Sequence, residues 1–584
     1  MSAPIAARAR ARVAGRPRPR WIQPPSPDLD AVVALGDALQ LPAEICRLLV
    51  TRGYSDPESA KIFLRPKLER LHPPELMTGM DVAVERLVRA VRAGEVILVH
   101  GDYDVDGICS TTLLTRTLRQ AGGTVVPFIP HRLTDGYDLT MVGVRAAQQA
   151  GARVVVTCDC GTSALAPIAA LGELEIDVIV TDHHLPGGPL PQCLAVLNPK
   201  TPGNTYPDQD LAAVGVVFKL AVALARALGV PEGFVYRMLD LVALATIADV
   251  AALRGENRIF ARFGLKMLAE TENLGLRALV RAAGLDGKPI TAGRVGYILA
   301  PRLNAVGRLG RALRGVELLL STNEHDANAI ARELEELNRQ RQEIDRRTLD
   351  QARDMVGALD LDETYGIVLA GEAWHAGVIG IVASRIVEDT GRPTILIALD
   401  HGEGKGSGRS ISAFDLHGAL TECKDLFVRY GGHRAAAGVT ITEANVDAFA
   451  QRFNAVARAW LTPDDLVPEM RIDLELPIDD ATADLESLLR HFEPFGVGNP
   501  SPVFVSRGVS LIGAPRVIGT DGLKLRLATR AGELDAIGWG MASLAPTLAA
   551  GGPVDIAWRL ERDEYQGKSR LQAKLADIVP AGGR

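Results

Sequence analysis

Three short apolar runs, at 96–99, 153–157 and 177–181, each stop on a cluster of acids, histidines or cysteines. A run of four or five residues without polar alternation reads as a strand buried on both faces. Helix-like segments separate the runs, at 108–121, 140–150 and 163–172. Strand, helix, strand at this spacing predicts a parallel, doubly wound α/β sheet. In such a sheet the carboxyl ends of the strands are where ligands bind. One pattern therefore constrains both the fold and the chemistry.

The first cluster is His100-Gly101-Asp102-Tyr103-Asp104-Val105-Asp106-Gly107. Crowded carboxylates repel and raise one another's pKa, and a divalent cation relieves that. Carboxylate oxygen with imidazole nitrogen suits Mn²⁺, or Mg²⁺ with waters completing its shell. An EF-hand is excluded because no Glu stands at the twelfth loop position. The second cluster is Cys158-Asp159-Cys160-Gly161. With no second cysteine pair nearby a zinc site is incomplete, so the cysteines read as small core residues and Asp159 as a ligand. The third is Asp182-His183-His184. Asp249, closing the apolar helix expected at 238–248, is a fourth candidate, because a carboxylate at a helix C-terminus calls for a positive neighbour. His100, Asp104, Asp106, Asp159, His183 and Asp249 suffice for two metal ions sharing a carboxylate bridge. Two such ions imply hydrolysis at a phosphate ester or anhydride. Asp102 and His184, in the same clusters, are assigned catalytic roles.

Around this core the chain divides further. Residues 1–20 carry six arginines and no acid and read as a disordered basic arm. An N-terminal helical segment is expected over 21–80, including a helix opened by Asp56-Pro57, and the catalytic domain over 81–320. Within 321–358, Ile330, Leu334, Leu337 and Ile344 make a narrow apolar stripe on a long exposed helix joining two bodies. Arg341 and Thr348 interrupt that stripe, against a coiled coil. A second, smaller α/β domain is expected over 359–462. Residues 462–470 read as a linker, and 466–584 as five or six short strands in an OB-fold-like β-barrel. The 64 Lys plus Arg against 71 Asp plus Glu give a charge of −7, which argues against coating DNA by bulk charge but leaves room for a local basic groove. Six cysteines in 584 residues exclude a disulfide framework and fit a reducing compartment. No apolar run reaches the ~20 residues of a membrane span, and the N-terminus lacks the apolar segment of a secretory signal. A cytoplasmic protein without membrane attachment is expected.

Substrate-side signals follow the acidic clusters. Pro301-Arg302-Leu303-Asn304-Ala305-Val306-Gly307-Arg308 offers two arginines and an amide. Trp374-His375-Ala376-Gly377, the glycine-rich run 404–410 and Tyr430-Gly431-Gly432-His433-Arg434 together suggest a phosphate cradle. These residues resemble the DHH phosphoesterase superfamily, and more closely its RecJ family of single-stranded-DNA exonucleases. Asp135-Gly136-Tyr137 and the run 374–385 add to the likeness, which spans residue 21 to the C-terminus.

The resemblance implies a DHH domain, a connecting helix, a DHH-associated domain and an OB-fold. It implies 5′-to-3′ degradation of single-stranded DNA to mononucleotides, with two Mn²⁺ or Mg²⁺ ions, in recombination and repair. Its metal ligands fall on the six residues named above. Its substrate-binding residues fall on Tyr137, Arg302, Asn304, Arg308, His375, Arg409, Ser410 and His433. Asp138 departs from the pattern, which has glycine there. The expected partner is single-stranded DNA, with a single-strand-binding protein or a helicase beside it, and the enzyme is expected to be a monomer. Two alternatives are a phosphodiesterase of short oligonucleotides, disfavoured by the C-terminal barrel, and a binding protein on a dead nuclease, disfavoured by the intact ligand set. Aromatic residues make up 5%, so few rings are available for base stacking; Tyr137, Trp374, Phe414 and Phe495 are the candidates.

Overall fold

The computed structural model describes residues 18–23, 26–132, 134–565 and 568–582. Most of the basic arm, with Arg8, Arg10, Arg12 and Arg16, lies outside them. Arg20–Ile22 is a short strand parallel to Glu469–Arg471. The stretch 462–470 is thus no plain linker: besides this strand it holds the single turn Pro463–Leu466, closed by a Thr462/Asp465 capping box. The chain forms two compact units. One comprises 66–343 with 493–500; the other comprises the residues up to 65, with 344–492 and 501–584.

The first unit is built on five parallel strands: β1 (Val96–Gly101), β2 (Thr124–Phe128), β3 (Val154–Cys158), β4 (Asp177–Thr181) and β5 (Ala195–Leu197), in the order β2-β1-β3-β4-β5. The strand order reverses direction between β1 and β3, the switch point where a doubly wound sheet opens a crevice. Successive residues of a strand point to opposite faces. Ile97 and Val99 accordingly enter one core, with Ile108 and Leu113 of helix α1 (Val105–Gln120). Leu98 enters the other, with Val144 of α2 (Met141–Gln149) and Ile168 of α3 (Leu165–Glu173). Three further helices matter to the site: α4 (Ala213–Leu228), α5 (Leu239–Ala248) and α6 (Ala300–Leu309).

The long helix α7 (Glu324–Gly357) is not exposed all round. Ile330 and Leu334 are buried, and so are Asn338, Arg341, Asp345 and Thr348. The polar residues that seemed to break the stripe instead continue the buried face.

In the second unit, five strands pair in the order β9-β10-β8-β7-β6: β6 (Ile367–Gly371), β7 (Thr394–Asp400), β8 (Glu403–Arg409), β9 (Phe427–Gly432) and β10 (Ala436–Thr442). Helix α8 (Ile379–Thr390) crosses this sheet. The run 404–410, read from sequence as a phosphate-binding loop, is mostly strand β8. Its glycines are packing positions: a Cβ at Gly404, Gly406 or Gly408 would lie 2.6, 2.5 or 2.9 Å from Ile397, Val439 or Ile395. The C-terminal sheet has seven strands. Two of them, Val554–Tyr565 and Lys568–Pro580, run 12 and 13 residues rather than the short lengths expected. Among the described residues no helix is long and apolar enough to cross a membrane.

Candidate metal centre

The acidic residues meet just beyond the carboxyl ends of β1, β3 and β4. The Asp102 N–H still extends the strand ladder, donating to the Cys158 carbonyl at 3.1 Å. The chain then turns into α1, where Asp104 is the N-cap and its Oδ1 accepts the Asp106 and Gly107 N–H groups at 2.9 and 3.2 Å. The turn is tight enough to demand glycine at 107, where a Cβ would lie 2.3 Å from the Asp102 carbonyl oxygen. Asp106 is fully buried and caps a second helix at a distance. Its two oxygens accept the Ala213 and Val214 N–H groups of α4, both at 2.8 Å.

Asp159 follows β3 in the left-handed conformation, φ 67°, with its N–H on the Thr181 carbonyl. Asp182 follows β4 and organises both histidines. Its carboxylate accepts the N–H groups of Thr162, His183 and His184 and faces His184 Nδ1 at 2.7 Å. His183 Nε2 then lies 3.3 Å from Asp159 Oδ1 and 3.6 Å from Asp249 Oδ2. Asp249 is the C-cap of α5, with the His183 imidazole beside it.

Three triads of ligand atoms lie within 4.8 Å of one another: Asp102, Asp104 and Asp159; Asp106, His183 and Asp249; and Asp159, His183 and His184. Asp159 belongs to two of them. The buried atoms Asp102 Oδ1, Asp159 Oδ1 and His183 Nε2 have no hydrogen-bond partner. Buried polar atoms are nearly always paired. Orphaned atoms of hard and borderline donors converging on one point are the donor set of divalent cations.

The electrostatics agree. Burial, then the Asp104 charge, pushes Asp106 up to about 7 and raises Asp102 well above the usual carboxylate range. Asp159 is raised likewise, by burial and then by Asp104, Asp106, Asp102 and Asp249. Burial, then Asp106, lifts Asp249 to about 8. Burial lowers His183 to about 3, leaving it neutral as a ligand must be. His184 is also opposed by burial, yet its bond to Asp182 raises it to about 9. Burial works against Asp182 too, and the same bond holds it at about 2.

His100, expected from the sequence as a ligand, is in none of these triads, though its buried Nε2 is likewise without a hydrogen-bond partner. It shares the Leu98 face of β1, where its Nε2 lies against Gly143 of α2 and its Nδ1 is 3.6 Å from Cys160 Sγ. Burial holds it at about 4.

The rim of the centre carries Tyr137, expected from the sequence, together with Tyr103 and Arg132, to which the sequence reading gave no role. Tyr103 stacks edge-on to Tyr137, and the Arg132 guanidinium lies 4.5 Å over the Tyr103 ring. Tyr137 is 49% exposed, with its hydroxyl 3.2 Å from His184 Nε2. Local spacing held no signal for Arg132. Asp182 stood in the motif, but its role emerges only from its bonds.

Helix α6 touches the 102–104 loop at Gly307, where a Cβ would lie 2.3 Å from the Tyr103 carbonyl oxygen. Asn304 and Arg308 are half-buried on it. Arg302, expected from the sequence as a phosphate ligand, is engaged within the unit. It is 5% exposed, with Nη2 3.1 Å from Glu335 Oε1 on α7, Nε on the other carboxylate oxygen and Nη1 on the Ile298 carbonyl.

In the second unit Arg409, Ser410 and His433 come together. Arg409 pairs in register with Ala436, the Ser410 N–H donates to the Ala435 carbonyl, and the His433 N–H donates to that of Ala436. Arg409 Nη1 also bonds Ser407 Oγ at 3.2 Å. His375 precedes α8 and accepts the Gly377 N–H at Nδ1, 3.0 Å. Gly380 in the first turn of α8 lies against Arg409 Nη2. Phe414 and Trp374 are core residues, with the Trp374 indole N–H on Gln351 Oε1 at 2.9 Å, so neither is a stacking platform.

Comparison with known proteins gives matches to the DHH family N-terminal domain over 96–246, the DHHA1 domain over 363–459 and the RecJ OB domain over 472–577. The single-stranded-DNA-specific exonuclease RecJ of Bacillus subtilis is 37% identical over 95% of this chain and 70% of its own length. That of Salmonella typhimurium is 36% identical over 92% and 96%. The crystal structure of Thermus thermophilus RecJ in complex with Mn²⁺ superposes with TM-score 0.83 and 34% identity, covering 97% of this chain and 81% of that one. Its Mg²⁺ complex gives 0.78, with 32% identity over 97% and 80%. Sequence, domain order and fold thus agree along nearly the whole length, and the chain belongs to the RecJ family.

Proposed function

We propose that this chain is an exonuclease that hydrolyses single-stranded DNA from its 5′ end to mononucleotides, using two divalent cations, Mn²⁺ or Mg²⁺. The observation that carries this is the convergence of orphaned carboxylate and imidazole atoms at the switch point of the sheet, in a chain whose relatives are named single-stranded-DNA-specific exonucleases. Asp102, Asp104 and Asp159 would hold one cation, Asp106, His183 and Asp249 the other, and Asp159 is the carboxylate near enough to both groups to serve each. Cations there supply charge neutralisation and water activation for attack at phosphorus.

The chain's own residues do the rest. Asp104 and Asp106 are held by helix N-terminal N–H groups, so their oxygens keep fixed directions. Asp182 locks the tautomer and orientation of both histidines, as outer partners of ligands do. His184, charged through Asp182, presents Nε2 beside the Tyr137 hydroxyl and is placed to donate a hydrogen bond or proton to a phosphate or leaving oxygen. Asn304 and Arg308 in the first unit, and His375, Arg409, Ser410 and His433 in the second, are assigned to backbone phosphates. Arg302 instead braces α6 against α7 through Glu335.

The OB domain argues for long strands over dinucleotides, because a small substrate needs no strand-tracking barrel. The dead-nuclease alternative requires lost ligands, and all five carboxylates and His183 are present and convergent. We place the enzyme as a cytoplasmic monomer acting in recombination and repair, beside a single-strand-binding protein or a helicase. Digestion of 5′-labelled single strands, duplexes and a dinucleotide, with and without Mn²⁺, tests the reading. Cation-dependent release of labelled mononucleotide from single strands alone is expected. Preference for the dinucleotide, or for duplex, contradicts it.

A further inference from the structure

Asp138 holds a backbone conformation that suits glycine better than aspartate. Its φ is 73°, in the left-handed region that glycine enters freely and most side chains avoid. The carboxylate has a use there. Its Oδ1 accepts two N–H groups at 2.7 Å, from Leu139 and from Gly161. The first bond is local, but the second crosses to another loop. Gly161 is buried two residues past Asp159, in a turn fixed by Thr157 Oγ1 on the Cys160 carbonyl and by the Ala164 N–H on its own carbonyl. The 134–138 loop is more exposed and carries Tyr137 at the rim of the cation cluster. Its other end is tied by Asp135 Oδ2, which accepts the His131 N–H at 2.8 Å.

We propose that Asp138 is a positioning residue: by clasping the rigid Gly161 turn it fixes the Tyr137 loop, and so the placement of the nucleotide entering the centre. This rests on the reading of Tyr137 as a substrate contact. A glycine at 138 adopts the backbone easily but leaves the Gly161 N–H without this acceptor. Aspartate at this position exchanges backbone ease for a cross-loop bond.

Three variants separate the contributions. Asp138→Asn keeps the Oδ1 acceptor and tolerates the left-handed region but removes the charge. Asp138→Ala removes the acceptor and keeps the strain. Asp138→Gly removes the acceptor and relieves the strain, so it preserves folding. The test measures kcat and KM of the full-length enzyme on 5′-labelled single strands at saturating Mn²⁺. It covers these variants, Tyr137→Ala and the Tyr137→Ala/Asp138→Ala double, with Mn²⁺ affinity measured by calorimetry.

Losing one buried acceptor predicts a KM rise of roughly tenfold for Asp138→Ala and Asp138→Gly, with kcat and Mn²⁺ affinity little changed. Asp138→Asn is expected within about threefold of wild type, since the acceptor remains. If the clasp acts through Tyr137, Asp138→Ala adds less than about twofold in the Tyr137→Ala background. Wild-type KM in Asp138→Ala and Asp138→Gly beside an impaired Tyr137→Ala overturns the clasp alone. An equal loss in both backgrounds overturns it too, and so does an Asp138→Asn as impaired as Asp138→Ala. A Tyr137→Ala enzyme with wild-type KM overturns the substrate reading of Tyr137 and the clasp with it.

Discussion

Cation binding should release protons, because the carboxylates of the centre hold them in its absence. Burial and the neighbouring acids raise Asp106 to about 7 and Asp249 to about 8, so without a cation the pair holds protons near neutral pH, and ligands must shed them to bind a cation. Asp102 and Asp159, both raised well above the usual range, add to this.

The same shifts set the stability of the protein stripped of its cations. Over the window from the ordinary carboxylate range near 4 up to about 8, the unfolded chain gives up these protons first. The folded state then binds more protons than the unfolded one, so stability falls as pH rises. For a buried carboxyl raised from 3.8 to about 7, the loss is on the order of 4 kcal/mol. Calorimetric Mn²⁺ titration in PIPES and in HEPES at pH 7, buffers of different ionisation enthalpy, reads the protons released. Net release is expected, and Mn²⁺ should raise the melting temperature more at pH 8 than at pH 6. Saturating Mn²⁺ binding with less than about half a proton released would refute the electrostatic account of the cluster.

Asp159→Ala should abolish hydrolysis while single-strand affinity, read by fluorescence anisotropy, stays within about threefold; residual activity within about tenfold of wild type would count against a bridging role, being only ~1.4 kcal/mol of barrier. Asp182→Ala removes an acceptor used by Thr162, His183 and His184, and an outer-partner loss of 10- to 100-fold in activity is expected, partly recovered at high Mn²⁺. Deleting the whole OB region is a poor probe, because 493–500 belongs to the catalytic unit, with the Leu253 N–H on the Val497 carbonyl at 2.8 Å. Trp539→Ala with Arg516→Ala, both exposed on the C-terminal sheet, should instead weaken long strands several-fold and flatten the salt dependence, while dinucleotide cleavage is unchanged. Equal losses on both substrates would make that face structural.

Strands β1, β3 and β4 were legible because both faces are buried, leaving unbroken apolar runs. β2 and β5 were not. β2 is an edge strand whose burial alternates, and it contains Pro127, which demotes a run read from sequence. β5 is three residues long. The convergence of Asp104, Asp106, Asp159, His183 and Asp249 could be read because each sits at the end of a recognisable element. His100 lies inside the strand, where the pleat decides its side, and spacing alone does not say which face it takes. The Arg302 ion pair was not legible because its partner, Glu335, is 33 residues away on another helix. The glycines of β8 looked like a phosphate loop because their Ile and Val neighbours come from β7 and β10.

The central claim is that Asp102, Asp104 and Asp159 hold one cation, Asp106, His183 and Asp249 a second, and Asp159 lies between. Anomalous diffraction at the manganese edge, from crystals grown with Mn²⁺, tests it directly. The account predicts two peaks roughly 3.5–4 Å apart, each within about 2–2.6 Å of its own ligands. A single peak, or a peak at His100 and Cys160 away from Asp159, would contradict it.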